Sequence, residues 1–440
     1  MKNRKLIPIA VMALVILDFI GYYFSIKSVV MVSIISILVI TAITTIENII
    51  IICFICVPFF YLITIKLGQF SYVYLIIIIY FIKFIMEKIK ENNLNQLINK
   101  YFISLLIFIC TIRNLFSLEN KRYISWLILT VYFIFVYNDK HFKLKKCINW
   151  YTISFVISSV LGYIVIKHGR VDILPVDLGV VFNKWNITYR FVGLIGETNG
   201  YAQVNLILLI VNIISMIYCK NIRDVMKKLI ISGLLIVFGV MTYSKMYLIG
   251  ICIFFTLVIL YGLYRSVKKK INVIRLFFII LSCIIISILI GKFIIDNAHS
   301  SLITNYLIRF KSKDLSTGRL EVFKYFIKLL NNNIFYWYFG AGFYRYLIPW
   351  RVTGTNGICA HNIYLECTVL FGIIGLCIFL GLLAYRVIYF LRKKRSFLSF
   401  TPLIMFMITG ISLHSMLTNY FYFLLLLIMG ILEKNIFLDA

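Results

Sequence analysis

The sequence predicts an all-α fold, a polytopic bundle of transmembrane helices, and three observations predict it. Of the 440 residues, 62% are hydrophobic and 14% charged, with a mean hydropathy of +0.98. Val, Ile, Leu and Phe gather in blocks of roughly 15–25 residues, which brackets the roughly 20 residues a helix needs to cross about 30 Å of hydrocarbon. Lys and Arg stand in the breaks between blocks. No soluble domain of about 100–200 residues can be cut from such a pattern, so residues 1–440 read as a single integral membrane domain.

The blocks predict about 14 spans, near residues 6–24, 28–45, 48–66, 70–86, 101–117, 123–137, 148–167, 201–219, 228–243, 246–264, 272–291, 360–390, 399–414 and 417–433. Lys2, Arg4 and Lys5 precede the first block, as in a signal peptide. No small-residue cleavage site follows and a second block begins at once, so the first block reads as a retained span. Orientation follows from cationic loops, which are held on the cytoplasmic side. With the N-terminus inside, the cytoplasmic loops hold Lys140 to Lys146, Lys220 to Lys228, Arg265 to Lys270 and Arg392 to Arg395. The outer turns hold little beyond Lys27, Lys66, Lys121, Arg122 and Lys245, and the C-terminus is also inside.

The formal charge of +29 is therefore mostly topology. It is spread over loops and forms no continuous basic groove, so no nucleic-acid partner is expected. The 10 cysteines are scattered through apolar blocks. Their one close pair, Cys53 and Cys56, lies inside a span where thiolates are disfavoured, and it reads as packing.

Two loops exceed a tight turn, residues 168–200 and 292–359, and both fall on the predicted outer face. Long loops in a compact fold are usually functional, and these are rich in aromatic residues, so chemistry is expected outside. In the second loop Ser316 and Thr317 can cap a helix beginning at Gly318, with Glu321 near its positive dipole end. Leu320, Phe323, Phe326, Ile327 and Leu330 fall on one stripe, Lys324 and Lys328 fall off it, and Asn331-Asn332-Asn333 ends the run. Such an amphipathic helix lies on the membrane or packs over the mouth of the bundle. Phe339-Gly340-Ala341-Gly342-Phe343 follows as a flexible turn; with no strand before it, the Gly-x-Gly is not a nucleotide loop.

Ionisable groups at bilayer depth are costly and invite a functional reading. Lys245 stands at the tip of a helical hairpin, its ammonium just below the outer surface, where it either meets an anion or snorkels to headgroups. Arg190 stands between aromatic residues just before a span. Arg319 opens the amphipathic helix, with Arg309 and Lys311 close before it. Guanidinium groups bind phosphate oxygens in pairs and stay charged, which suits a phosphate or pyrophosphate ligand. His361 stands at the outer start of a long span, with Tyr364 on its helix face and Asn362 facing Glu366. Its imidazole can accept or deliver a proton near neutrality. His168, His299 and His414 are also predicted outside and read as caps. The sequence carries no Asp-x-Asp, no carboxylate and histidine cluster at metal spacing, no Walker loop and no Gly-x-Ser-x-Gly, so no metal or nucleotide cofactor is expected.

His361-Asn362-Ile363-Tyr364-Leu365-Glu366 followed by Phe371-Gly372-Ile373-Ile374-Gly375-Leu376 resembles the signature of the O-antigen polymerase and ligase superfamily. Ser316-Thr317-Gly318-Arg319-Leu320, the Phe339 to Phe343 turn, Arg190-Phe191-Val192-Gly193-Leu194 with Asn199, and Ser244-Lys245 are similar to its other motifs, in the same order. The resemblance covers residues 190 to 380 closely; where the family often has Arg at the hairpin tip, this chain has Lys245, which keeps the charge and loses the fork.

The resemblance implies a Wzy-type polysaccharide polymerase, a metal-independent, GT-C-like membrane glycosyltransferase of the bacterial cytoplasmic membrane. Its active site faces outward, and its substrates are oligosaccharides on undecaprenyl pyrophosphate. A ligase of the same superfamily is the nearest alternative and a polysaccharide flippase or permease a more distant one. On this reading Arg190 and Arg319 hold the pyrophosphate and Lys245 supports it. His361 activates or orients the acceptor hydroxyl, and Arg309, Asn362 and Tyr364 contact substrate. Membrane lipid, a chain-length regulator and a flippase are the further partners implied.

Overall fold

The computed structural model describes residues 6–60, 71–91, 121–169, 180–183, 186–195, 198–219, 221–267, 319–342, 360–393, 397–412 and 419–433, with positions 277, 281, 285, 288 and 292. The helices are α1 (Leu6–Tyr23), α2 (Lys27–Ile43), α3 (Ile46–Cys56), α4 (Tyr72–Lys90), α5 (Lys121–Asn138) and α6 (Leu144–Lys167). After a hairpin of β1 (Val180–Asn183) and β2 (Asn186–Tyr189) come α7 (Thr198–Ile217), α8 (Ile222–Val240) and α9 (Lys245–Val267). The last set is α10 (Arg319–Asn331), α11 (Ile334–Phe339), α12 (Ile363–Arg392), α13 (Thr401–Gly410) and α14 (Asn419–Glu433).

Among the described residues 5 helices are long and apolar enough to cross a membrane, α1, α6, α7, α9 and α12, with shorter apolar helices beside them. The expected span 101–117 lies outside the described residues, as does 272–291 apart from the single helical positions named above. The hairpin departs from an all-helical expectation. Val180, Val181, Phe182, Ile187 and Thr188 are β-branched or aromatic, and Asn183 and Asn186 face each other across a two-residue connection, a strand pattern that the span reading passed over.

The bundle is built around α3, α7 and α14, whose side chains are buried on nearly every side. A helix apolar all round belongs in the core of such a bundle. Cys53 and Cys56 are fully buried in α3, in agreement with their reading as packing. The outer helices instead expose apolar side chains: Leu6, Ile9, Leu17 and Ile20 on α1, and Met31, Val32, Ile35 and Val39 on α2. An apolar exterior on hydrogen-bonded helices suits lipid as the solvent.

Polar side chains tie α7 to its neighbours. The Gln203 amide donates to Thr409 Oγ1 on α13 at 2.9 Å, and Asn212 donates to Ser232 Oγ on α8 at 2.8 Å. Tyr247 of α9 donates to Asn205 Oδ1 at 2.9 Å. Its ring occupies the space beside Gly239 that a Cβ would fill.

Contacts between helix ends pair the loops as the alternating topology expects. At one end Lys140 bridges Glu87 and Glu91 of the α4 terminus, and Lys146 reaches Glu47. Hydrogen bonds from Lys140 and Lys88 hold the exposed Glu91 carboxyl down at about 2. At the other end Tyr23 meets His168, and Arg190 meets the α8–α9 turn.

Helix α12 is broken. Gly372 has φ 73° and ψ −176° inside it. The Phe339–Gly342 turn docks on the break: Ala341 N–H donates to the Val369 carbonyl at 2.7 Å. A Cβ on Gly340 would strike the Leu370 carbonyl, and one on Gly372 would strike the Tyr338 carbonyl. Both glycines have left-handed backbone, so the turn expected to be flexible is fixed against α12. The amphipathic helix α10 is described from Arg319, the expected start at Gly318 lying outside the described residues, and its buried face is Val322, Phe326, Leu329 and Leu330. Leu320 and Ile327, assigned by the sequence to the same stripe, face outward with Phe335 and Phe339 of α11. An apolar stripe beside a membrane serves two partners, and the sequence pattern alone cannot divide it between bundle and lipid.

Gly372→Ala is expected to destabilise the purified protein by at least about 2 kcal/mol, since left-handed backbone alone costs a residue with a Cβ about 1–2 kcal/mol. Gly381→Ala, nine residues along the same helix in open space, is expected to be neutral or to gain about 0.5–1 kcal/mol. Thermal unfolding in detergent checks both.

Candidate functional site

Arg190 follows the hairpin directly and is buried. Its segment is wedged between helices by small residues: Gly193 has φ 55° and lies against the Tyr201 ring, while Gly162 of α6 lies against the Gly193 backbone. Phe191 stacks on Phe238 at 5.1 Å and meets Tyr201 edge-on. Phe191 N–H also donates to the Met241 carbonyl at 3.1 Å. These contacts clamp the segment onto the turn between α8 and α9.

The guanidinium completes the clamp. Arg190 Nε donates to the Thr242 carbonyl at 3.0 Å, and an Nη donates to Asn199 Oδ1 at 3.0 Å. Both acceptors are neutral, so they orient the guanidinium without cancelling its charge. Thr242 belongs to the turn that ends at Lys245. In that turn Tyr243 has φ 51°, Thr242 Oγ1 donates to Gly239 O at 2.6 Å and accepts from Ser244 N–H at 3.2 Å. Lys245 opens α9 with its ammonium nitrogen buried. Arg190 and Lys245, 55 residues apart in sequence, thus share one turn.

His361 is not on a helix face. Its φ is 48°, a left-handed conformation uncommon for a residue with a Cβ. Asn362 is the N-cap of α12, its side-chain oxygen accepting from Leu365 N–H at 2.9 Å. Asn362 still meets Glu366 at i+4, the Glu366 N–H donating to the Asn362 carbonyl at 2.8 Å, whereas His361 stands before the helix that starts at Ile363 and does not share a helix face with Tyr364. Tyr364 donates its hydroxyl to the Met407 carbonyl of α13 at 2.8 Å. Ile363 packs against Gly410. Half-buried His361 is thereby presented above the cap, in a backbone state of the kind held in place at functional sites.

The two groups stand at the same end of the bundle. Gln203 and Asn199 lie in the first turns of α7, and Gln203 bonds Thr409, two residues from the Met407 that holds Tyr364. The last turns of α13 thus bond both α7, which carries Asn199, and α12, which His361 precedes. Arg319 stands at the start of α10, which packs with α11 against α12. Arg309, Lys311, Ser316, Thr317, His299 and His414 lie outside the described residues.

Residues 230–380 match the family model described as O-antigen ligase (Wzy_C). The match supports the O-antigen polymerase and ligase superfamily. The matched segment holds Lys245, Arg319, both docked glycines and His361, while Arg190 precedes it. Searches of curated proteins and of solved structures returned no match.

The sequence missed the bridging roles of Gln203, Thr409 and Met407, which lie far apart in the chain. Asn199 was legible within the Arg190 motif; its contact with Arg190 was not. A double-mutant cycle on Arg190→Lys and Asn199→Ala is expected to show a coupling of about 1 kcal/mol or more in unfolding free energy, since the bond involves a charged donor. A coupling near zero would mean that the clamp does not form.

Proposed function

We propose that the chain is an oligosaccharide repeat-unit polymerase that moves a glycan from undecaprenyl pyrophosphate to another lipid-linked repeat, for capsule, O-antigen or a related exopolysaccharide. Arg190, Lys245 and His361 gathered at one end of an apolar bundle carry this reading, joined to an O-antigen ligase match that spans two of the three. The membrane is the bacterial cytoplasmic membrane, with both termini inside and the site outside, as the cationic loops imply.

The chemistry follows from the leaving group. A glycosyl pyrophosphate is already activated, so the barrier lies in the charge that develops as it departs and in the proton that must leave the acceptor. His361 takes the proton from the acceptor hydroxyl as its oxygen attacks the anomeric carbon. The bond from that carbon to the pyrophosphate oxygen breaks, the electron pair stays on the phosphate, and configuration inverts. Arg190, preoriented by Thr242 and Asn199, and Arg319 bind the departing phosphates; Lys245 adds a third cation. Such fixed cations supply the charge stabilisation that a metal ion provides elsewhere.

Asn362 and Tyr364 were expected to touch substrate. Their hydrogen bonds to Leu365 and Met407 support a different role, in which they position His361. Arg309 stays a candidate for the substrate glycan. A flippase supplies the lipid-linked repeat, and a chain-length regulator acts on the product.

The description of the matched family favours a second reading, transfer of the finished glycan to a lipid A core. Glycan analysis after gene deletion separates them: loss of the polymerase leaves single repeats on the surface acceptor, and loss of a ligase leaves long chains on the lipid carrier. In the deletion strain complemented with His361→Ala, polymer is expected to fall by at least about 100-fold, the low end of what a general base contributes. Wild-type length and amount from that variant would remove His361 from the mechanism. Unchanged glycan in the deletion strain itself would remove the polymerase and ligase readings together.

A further inference from the structure

The end of the bundle opposite His361 contains a cavity of about 450 Å³ between α6, α7 and α8. It lies about 25 Å from Arg190, the rise of α7 between Asn199 and Ser215. The transfer chemistry makes no use of it. Its volume falls within the range of about 300–1,000 Å³ typical of ligand pockets.

The lining is divided between charge and hydrocarbon. Lys145, Lys227 and Lys228 supply three ammonium groups against the single carboxylate of Asp224. Lys228 is fixed in the wall: its Nζ donates to Ser215 Oγ at 2.6 Å, and its backbone carbonyl accepts from Asn212 Nδ2 at 2.7 Å. Lys145 and Lys227 are exposed at the rim. The other side is apolar, with Ile148, Val211 and Ile231 lining it and Ile153 exposed on the lipid-facing side of α6. Asn221 caps the N-terminus of α8 at the mouth, its side chain accepting from Arg223 N–H, and that terminus adds the positive end of a 19-residue helix.

One lysine held in the wall and two exposed at the rim, beside an apolar wall at the membrane boundary, match a phosphate attached to a hydrocarbon body. We propose that this cavity binds an anionic phosphate group, supplied by a phospholipid of the adjacent leaflet. Asp224 and Asn149 at the rim fit the hydroxyl groups of a polyol headgroup such as phosphoglycerol. A free phosphate ester shares the charge chemistry and lacks the apolar part.

The test uses the full-length protein in a non-ionic detergent and follows its thermal unfolding against added lipid. Phosphatidylglycerol is expected to raise Tm saturably, and phosphatidylcholine, whose phosphate charge is internally compensated, to raise it little. Inorganic phosphate serves as the soluble arm; a response to it equal to that of phosphatidylglycerol supports the anion site and assigns its source to solution. The double substitution Lys145→Gln with Lys227→Gln alters exposed side chains only. It is expected to weaken the phosphatidylglycerol response at least tenfold in concentration, while Lys143→Gln, exposed outside the cavity on the same end, leaves it unchanged. Equal shifts with phosphatidylcholine, or a wild-type response from the double variant, would overturn the proposal.

Discussion

Two glycines that let one backbone lie on another hold the His361 half of the structure together. Gly340 and Gly372 each occupy left-handed backbone, and each faces carbonyl atoms of the other's segment where a Cβ would stand. The contact joins α10 and α11 to α12 and fixes the break in α12, so that the segment before the break can follow its own direction. The N-terminus of that segment carries His361. A backbone contact of this kind has no flexible side chain to absorb error, which is why two local exceptions to ordinary geometry are needed to form it.

The second constraint is polar. An apolar helix in lipid has little hydrophobic reason to choose one neighbour over another, so small residues and buried hydrogen bonds decide the packing. In α7 Gln203, Asn205 and Asn212 address three different helices. Gly162 and Gly193 then allow the Arg190 segment to lie against α6. Hydrogen bonds through α7 and α13 link the Arg190 clamp to the helix that His361 precedes, and residues separated by about 170 positions come to one end of the bundle.

Features governed by neighbours along the chain were legible. Apolar blocks gave the helices, polar breaks gave the ends that pair in space, and the Asn run gave the end of α10. Features governed by distant segments were not. The break at Gly372 depends on Tyr338, the buried face of α10 on the helices beneath it, and the orientation of Arg190 on a carbonyl 52 residues away. His361 sits between these cases: its position before a helix was readable, but placing Asn362 as the cap moved it off the helix face on which the sequence had put it.

The central claim is that this end of the bundle performs glycosyl transfer with the cations and the base that the chain itself supplies. Purified protein in proteoliposomes, given lipid-linked oligosaccharide repeats with a metal chelator present and no ion gradient, tests it most directly. The account predicts glycans longer than one repeat and stoichiometric release of the polyprenyl pyrophosphate. Transport of unchanged repeats without elongation, or elongation that stops when the chelator is added, would contradict it.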